Sequence, residues 1–578
     1  MSHLPVTTMA QHVICPPPRG RRTTRPAVAH GLLGVAGAVL AASVAVVGPL
    51  AASAAAAPSA SAAPAAPAAP ATLAGAPLLP SVEVPDDEVG PNRGDAVVPP
   101  PVADSADDDP LSPAGVLGLV ALVLVSLGLT VVAGTTLAWM LHAWRTPQSL
   151  LATRFSQAPV EPRRSFSLLV PARHEEEVLG DTLDALAELD HPDYEVIAII
   201  GHDDPGTEAV ARAAADRHPG RVRVVMDHSV PKNKPKGMNT ALPHCRGDVV
   251  GVFDAEDEVH PRLLRLVDAR FTETGADVVQ GGVQLMNLTS TWWSLRNCLE
   301  YYFWFRSRLH FHAEARFIPL GGNTVFIRTE LLRAAGGWDA ECLAEDCEIG
   351  VRLSTQGAKV AVAYDPEVVT REETPGSLTS LLKQRTRWSQ GFLQVLRKGE
   401  WKRLPSRRQR MLARYTLAMP FLQAFTGLMI PVSVVLILTA KVPVLVAMVT
   451  FVPIVPTLIT LSVEAAALGE FGRTYAVKVR VRDYLRLVLG TFPYQVVLAA
   501  ASVRAVWREA RGDGSWEKTA HANAHRTTAP VRAAATVVLP DSAAAREPVA
   551  VGAGAGADRT IDLTAAEGRV PARTEAVR

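Results

Sequence analysis

The chain has 578 residues and a formal charge of +1. That length allows two or three domains, and the near-zero charge gives no argument for nucleic acid as a partner. Hydrophobic residues make up 48% and there are 44 prolines, so much of the chain does not read as globular. Its cysteines, Cys15, Cys245, Cys298, Cys342 and Cys347, form no CxxC and no His/Cys ligand spacing, which argues against structural zinc and a disulfide scaffold.

Residues 1–56 open with Arg19, Arg21, Arg22 and Arg25, ahead of a long apolar run from Gly31. This pattern fits a signal peptide or a first transmembrane helix, and both export the segment behind it. Residues 57–113 are Ala- and Pro-rich with an acidic end, an extracytoplasmic linker that cannot bury a core. Residues 114–144 are apolar and carry no Asp, Glu, Lys or Arg, and predict a transmembrane helix. Arg145, Arg154, Arg163 and Arg164 come after it and bring the chain back to the cytosol by the positive-inside rule.

Residues 154–404 are too polar to span a bilayer and predict a cytosolic domain. Runs such as FSLLVPA, YEVIAIIG, RVRVVM and DVVGVF alternate with helical segments such as EEEVLGDTLDALAEL and GTEAVARAAADRH. Continuous apolar strands between amphipathic helices indicate an α/β fold, a mostly parallel sheet with helices on both faces. In such sheets ligands bind at the carboxyl ends of the strands. Those ends carry Arg173, His174 and Glu175, then His202, Asp203 and Asp204, then Asp254, Glu256 and Asp257. Clustered carboxylates suit a hard divalent cation, Mg²⁺ or Mn²⁺, which in turn binds substrate phosphates. Neither a P-loop nor a GxGxxG motif is present, so basic side chains such as Lys232, Lys234 and Lys236 of PKNKPKGMN are the phosphate candidates.

Residues 412–507 form a C-terminal transmembrane region of apolar stretches, near 415–440, 442–468 and 485–506, interrupted by prolines. Three full spans would leave the C-terminus outside, whereas Arg504, Arg508 and Arg511 argue that it lies inside. One stretch is then re-entrant or interfacial. Residues 520–578 read as a disordered Ala-rich tail.

The segments SLLVPARHEE, GHDDPGT, KPKGMNTAL, FDAED, GGNTVFIR, AEDCEIGVRL and QRTRW occur in an order that resembles membrane-embedded family 2 glycosyltransferases, the cellulose, chitin and hyaluronan synthase-like enzymes. The resemblance implies a GT-A type domain flanked by transmembrane helices, in the plasma membrane with its catalytic domain in the cytosol. It implies nucleotide binding by Glu175, Asp203, Asp204, Lys236, Asp254, Arg385 and Arg387. Asp254 and Glu256 occupy the metal-binding DxD positions, the second aspartate being glutamate here, with Asp257 adjacent. Asp346 matches the catalytic base, with Glu345 as its alternative, and Gln384 and Trp388 match acceptor-binding positions on an interfacial helix. The implied partners are a nucleotide-sugar donor, a glycan or glycolipid acceptor and the lipid bilayer.

The leading expectation is an inverting transfer that extends a polysaccharide or glycan. The alternatives are a single transfer to a lipid or lipid phosphate, and a non-catalytic membrane scaffold.

Overall fold

The computed structural model describes residues 113–146, 161–439, 442–517 and 526. The expected leader or anchor (1–56), the linker up to residue 112 and the tail, apart from Arg526, lie outside the described residues.

Helix α1 (Pro113–Arg145) precedes the domain. The domain begins with β1 (Phe166–Ala172), α2 (Leu179–Ala187), β2 (Tyr194–Gly201), α3 (Pro205–Arg217), β3 (Val222–Asp227), α4 (Lys234–Ala241), β4 (Val249–Val252) and α5 (Leu263–Thr274). Next come β5 (Val278–Gly281), β6 (Val283–Leu285), α6 (Ser294–Phe303), a π turn (Trp304–Arg308) and α7 (Leu309–Glu314). The remainder of the domain is β7 (Val325–Arg328), α8 (Thr329–Ala334), α9 (Glu345–Thr355), β8 (Val360–Ala363), β9 (Thr370–Glu372) and α10 (Leu378–Lys398). The C-terminal helices are α11 (Arg407–Thr439), α12 (Val444–Phe451), α13 (Ile454–Thr474) and α14 (Val481–Arg511).

The main sheet runs β3-β2-β1-β4-β7-β5-β8, with only β7 antiparallel to its neighbours, and β6 and β9 form a small parallel pair. Its central strands are apolar on both faces because both faces are covered. Leu168 and Val170 of β1 pack with Leu183 of α2 and Phe271 of α5, while Leu169, between them, packs on the opposite side with Met238 of α4. This two-sided burial explains the unbroken apolar runs in the sequence.

Four helical stretches, Gly115–Arg145, Arg407–Val435, Val444–Thr474 and Val481–Arg511, are long and apolar enough to cross a membrane. The third bends at Pro453, between α12 and α13. The domain core does not stop at residue 404. Ala467, Leu468, Phe471 and Tyr475 of α13 and its end, and Leu487 of α14, belong to the same buried cluster as Tyr302, Ile318 and Tyr364.

α14 differs from the other long apolar helices. Near its start Arg486 donates to Thr291 O at 2.9 Å, and at its middle Tyr494 donates to Glu300 Oε2 at 2.5 Å. Just beyond its end Gln390 donates to Asp513 O at 2.6 Å. The helix is thus hydrogen-bonded to the domain near its start, at its middle and just beyond its end.

Candidate functional site

Because β2, β1 and β4 are neighbours in the sheet and run in parallel, their carboxyl ends open side by side. The residues expected to bind a nucleotide divide there by role. Asp203 is exposed, with Arg173 at 3.2 Å and Lys232 at 3.4 Å. Asp204 is buried and caps α3 by accepting from Thr207 N at 3.3 Å. Its other oxygen takes the amide of His174 at 2.5 Å, where the backbone turns through a positive φ of 52°. Asp204 therefore shapes the crevice wall, and Asp203 is the member of the pair open to a ligand. Glu175 sits half-buried beside them, its amide on Thr207 Oγ1 at 3.1 Å.

The acids after β4 also separate. Asp257 was expected at an open strand end, yet it is fully buried. Its Oδ2 accepts from Asp254 N at 2.9 Å, and Asn323 Nδ2 lies 3.1 and 3.3 Å from its two oxygens. Asn323 also donates to Glu372. Burial, then repulsion from Asp254 and Glu256, raises the Asp257 carboxyl well above its ordinary range; burial, then Asp257, does the same to Glu372. Asp257 is thus committed to holding the loop. Glu256 is 6% exposed and is also raised, by burial, then by Asp254 and Glu175. The Asp254 side chain is 33% exposed, the most open of the expected metal ligands.

A lysine orders this loop, and it is not the one the resemblance singled out. Asn233 caps α4 by accepting from Lys236 N at 3.0 Å. The helix buries Gly237, Met238 and Ala241, and Lys234 lies on that same face. Lys234 Nζ donates to Asp254 Oδ1 and to Gly322 O, the latter at 2.9 Å. Lys236 instead reaches Pro231 O at 3.0 Å and lies 3.9 Å from Glu341. The helical period around Lys234 was the sequence signal that could have distinguished the two.

Gly322 brings in the expected catalytic acids. A Cβ on Gly322 would stand 3.1 Å from Asp346 Oδ2 and 3.9 Å from Lys234 Nζ, so its bare Cα lets the carboxylate and the ammonium approach. Asp346 and Glu345 start α9, and Asp346 Oδ1 accepts from Cys347 N at 2.7 Å. Burial, then Asp346, pushes the Glu345 carboxyl up to about 7, against the pull of Lys234 and Arg387. Asp346 is raised as well, chiefly by burial. α10 presses on this turn: a Cβ on Gly391 would meet the Ala344 Cβ at 2.4 Å, so no larger residue fits there without a shift.

The two arginines of QRTRW face different partners. Arg387 acts electrostatically on Glu345 and Asp346, and its guanidinium lies 4.6 Å from the Trp516 ring centroid. Arg385 is bound by Glu300 Oε2 at 2.7 Å, Tyr494 OH at 3.1 Å and Asn297. It therefore ties α10 to α6 and α14, whereas the resemblance implied contact with the diphosphate. Trp388 lies under Arg385 at 4.6 Å and 6.3 Å from the Tyr301 ring. Among the described residues, Gln384 Oε1 is buried without a hydrogen-bond partner. Asn323, Glu372, Glu300 and Trp516 were not singled out by sequence reasoning as carrying separate roles. Asn323 stood inside GGNTVFIR, while the others lay outside every motif.

Residues 162–391 match the family model described as "Glycosyltransferase like family 2". That segment is a family 2 glycosyltransferase-like domain. The chain is 27% identical over 281 residues to a beta-monoglucosyldiacylglycerol synthase of Synechocystis, covering 44% of this chain and 56% of that protein. It is 25% identical to a probable glycosyltransferase, YdaM, of Bacillus subtilis, over 40% of this chain and 56% of that one. It is 24% identical to a poly-beta-1,6-N-acetyl-D-glucosamine synthase of Staphylococcus epidermidis, over 43% and 59%. The chain thus spans under two thirds of the length of these relatives. Among solved structures, a mannosyltransferase from Pyrobaculum calidifontis in complex with GDP-Man and Mn²⁺ superposes with a TM-score of 0.45 at 20% identity, covering 67% of this chain and 99% of that one.

Proposed function

We propose that this protein is an inverting glycosyltransferase, moving a sugar from a nucleotide-diphosphate sugar to a glycan acceptor at the plasma membrane, with the family 2 domain on the cytosolic side. The observation that carries the reading is the meeting of Asp254, Lys234, Gly322 and Asp346, which puts the acids of the β4 loop and of the α9 N-terminus around one ammonium.

The nucleoside would lie over the ends of β1 and β2, with Asp203 and Glu175 offering acceptors to its hydroxyl and base N–H groups. The diphosphate would then reach the β4 loop. A hard divalent cation fits there by donor chemistry, since Asp254 and Glu256 are oxygen ligands whose mutual repulsion a cation would relieve. Among the described residues no group of three His, Cys, Asp or Glu is arranged to hold a metal ion. That suits a cation bound by one or two carboxylates together with substrate phosphate. When bound, such an ion would neutralise charge on the departing diphosphate. Lys234 and Arg387 add positive charge on the side toward Asp346. The Asp346–Glu345 pair accepts the proton of the acceptor hydroxyl as its oxygen bonds to the anomeric carbon and the bond to the diphosphate breaks. Trp388 would offer a flat apolar face to the acceptor sugar.

α1, α11 and the α12–α13 pair are the proposed membrane crossings, and α14 lies at the interface. The C-terminus then returns to the side of the domain, as Arg504, Arg508 and Arg511 suggest. A second reading, one transfer to a lipid acceptor, is favoured by the similarity to beta-monoglucosyldiacylglycerol synthases.

The test is incubation of the detergent-purified full chain with radiolabelled nucleotide sugars and Mg²⁺ or Mn²⁺, and then sizing of the product. Polymer supports the first reading and glycolipid the second. Failure to turn over any donor, with wild-type folding, overturns both.

A further inference from the structure

A cavity lies on the far side of strand β9. In this strand Thr370 Oγ1 bonds to Thr324 Oγ1 at 2.8 Å and Glu372 accepts from Asn323, so both face the acidic loop. Arg371, between them, points the other way and lines a cavity of about 280 Å³. The cavity is bounded by Met286 and Leu288 and by the connection between α13 and α14, which contributes Lys478, Arg480 and Arg482. It has the size of a small-ligand pocket.

Its positive charge is only partly compensated among the described residues. Arg371 lies 3.8 Å from Glu258 and Arg482 lies 4.0 Å from Asp483, while Lys478 and Arg480 have no acidic partner among the described residues. Asp483 also lines the cavity, but it is spent on the start of α14, accepting from Arg480 N at 2.9 Å and facing Arg486 at 3.5 Å. The first turn of α14 adds the positive end of its dipole. Cations gathered at a cavity by a helix start are suited to a phosphate group.

The surface leading away from the cavity says what carries that phosphate. Along α14 from the cavity, Val481, Leu485, Leu489 and Phe492 fall on one face and are 79%, 59%, 74% and 70% exposed. A basic pocket continuous with an exposed apolar helix face matches an amphiphile with an anionic head and hydrocarbon tails. We infer that the cavity between β9 and the α13–α14 connection is a binding site for the phosphate headgroup of an anionic phospholipid, separate from the transfer site and one strand away from it. The lipid assignment rests on the membrane reading of the apolar helices.

The experiment is native mass spectrometry of the full chain purified in detergent and supplied with phosphatidylglycerol or phosphatidylcholine, with melting measured in parallel. Phosphatidylglycerol should remain bound and raise the melting temperature, and phosphatidylcholine should not. The triple variant K478Q/R480Q/R482Q should retain about a hundredfold less phosphatidylglycerol, the order expected when three cations near one anion are lost. The charge-conserving K478R/R480K/R482K should retain it as wild type does. Equal retention by the glutamine variant, or equal retention of both lipids, overturns the site. Stabilisation by millimolar inorganic phosphate to the same extent as by phosphatidylglycerol overturns the lipid source. If the glutamine variant fails to fold, the wild-type comparison of the two lipids still decides. A chain that stays soluble without detergent defeats the membrane reading, which the lipid comparison by itself does not test.

Discussion

Lys234 joins Asp254 to Gly322: its ammonium donates to the Asp254 carboxylate and, over 2.9 Å, to the Gly322 carbonyl. The Lys234 side chain is 16% exposed, so this is a charge largely removed from water that depends on its partner. Burial opposes the ammonium, yet Asp254, Glu345 and Asp346 together hold it protonated. This pairing decides what substitution at Asp254 should do.

Asp254→Asn should abolish turnover and also lower stability, by about 3 kcal/mol if Lys234 stays as buried as it is now, because it strands a charge. Combining it with Lys234→Met should recover much of the lost stability without recovering activity. A double-mutant cycle on denaturant unfolding measures the coupling. Additive costs would mean that the pair does not interact in solution.

Lys234 and Lys236 should behave differently. Lys234→Met removes positive charge beside the departing diphosphate and should cost on the order of 10²–10³-fold in kcat. Lys236→Met, whose ammonium sits on Pro231 O, should leave kcat within about threefold, since it removes one surface contact. Steady-state kinetics on both variants check the assignment, and the reverse ranking would restore Lys236 to the site.

The α9 acids give a pH dependence with a definite sign. Glu345 holds its proton up to about pH 7, against an ordinary value of 4.5, so folding favours the protonated form. The stability from this proton is complete below 4.5 and is lost as the pH rises through about 7. Glu345→Gln, neutral throughout, should flatten that decline in melting temperature between those two pH values. Transfer should take the opposite course, rising through the same window as the pair becomes able to accept a proton. Asp346→Asn should cost about 10²–10⁴-fold in rate with donor affinity preserved.

Arg385 and Arg387 separate structure from chemistry. Arg385→Gln breaks the bond to Glu300 and Tyr494 and should lower the melting temperature more than it changes donor KM. Arg387→Gln should leave melting nearly unchanged, weaken the donor and slow transfer. Melting and kinetics measured on the same preparations distinguish them. An Arg385 variant with wild-type melting and weakened donor binding would return Arg385 to the diphosphate.

The strands that build the crevice were legible because β1, β2 and β4 are buried on both faces, which makes nearly every position apolar; the exceptions, Ser167 and Glu195, bond to each other. Their polar ends were legible for the same reason, since a run of Leu, Ile and Val makes the first Asp or His conspicuous. The roles within each cluster were not. Asp203 and Asp204 are adjacent and chemically identical, and only the position of Thr207 makes one of them a cap. Asp257 read as one more exposed acid because its burial depends on Asn323 and Glu372, which lie far along the chain. Arg385 read as a phosphate ligand because Glu300 and Tyr494, which occupy it, belong to helices with no local sequence link to QRTRW. Which contacts α14 makes was not legible because its composition allows a membrane span, and its ties to the domain are tertiary, through Leu487 and Tyr494 in buried clusters and through hydrogen bonds to distant residues.

The core shared by the domain and the helices after it has a consequence for biosynthesis. When residue 404 leaves the ribosome, the sheet is complete in sequence, but Tyr302 and Tyr364 still lack Phe471 and Tyr475, which contact them in the finished protein. Nascent chains normally fold domain by domain as they emerge. Here the catalytic half must wait with an open apolar flank until α13 and α14 have been made and delivered to it. Residues 154–404 expressed alone would present that flank to other copies and aggregate. Docking of the later helices is therefore a step in the folding of the domain itself.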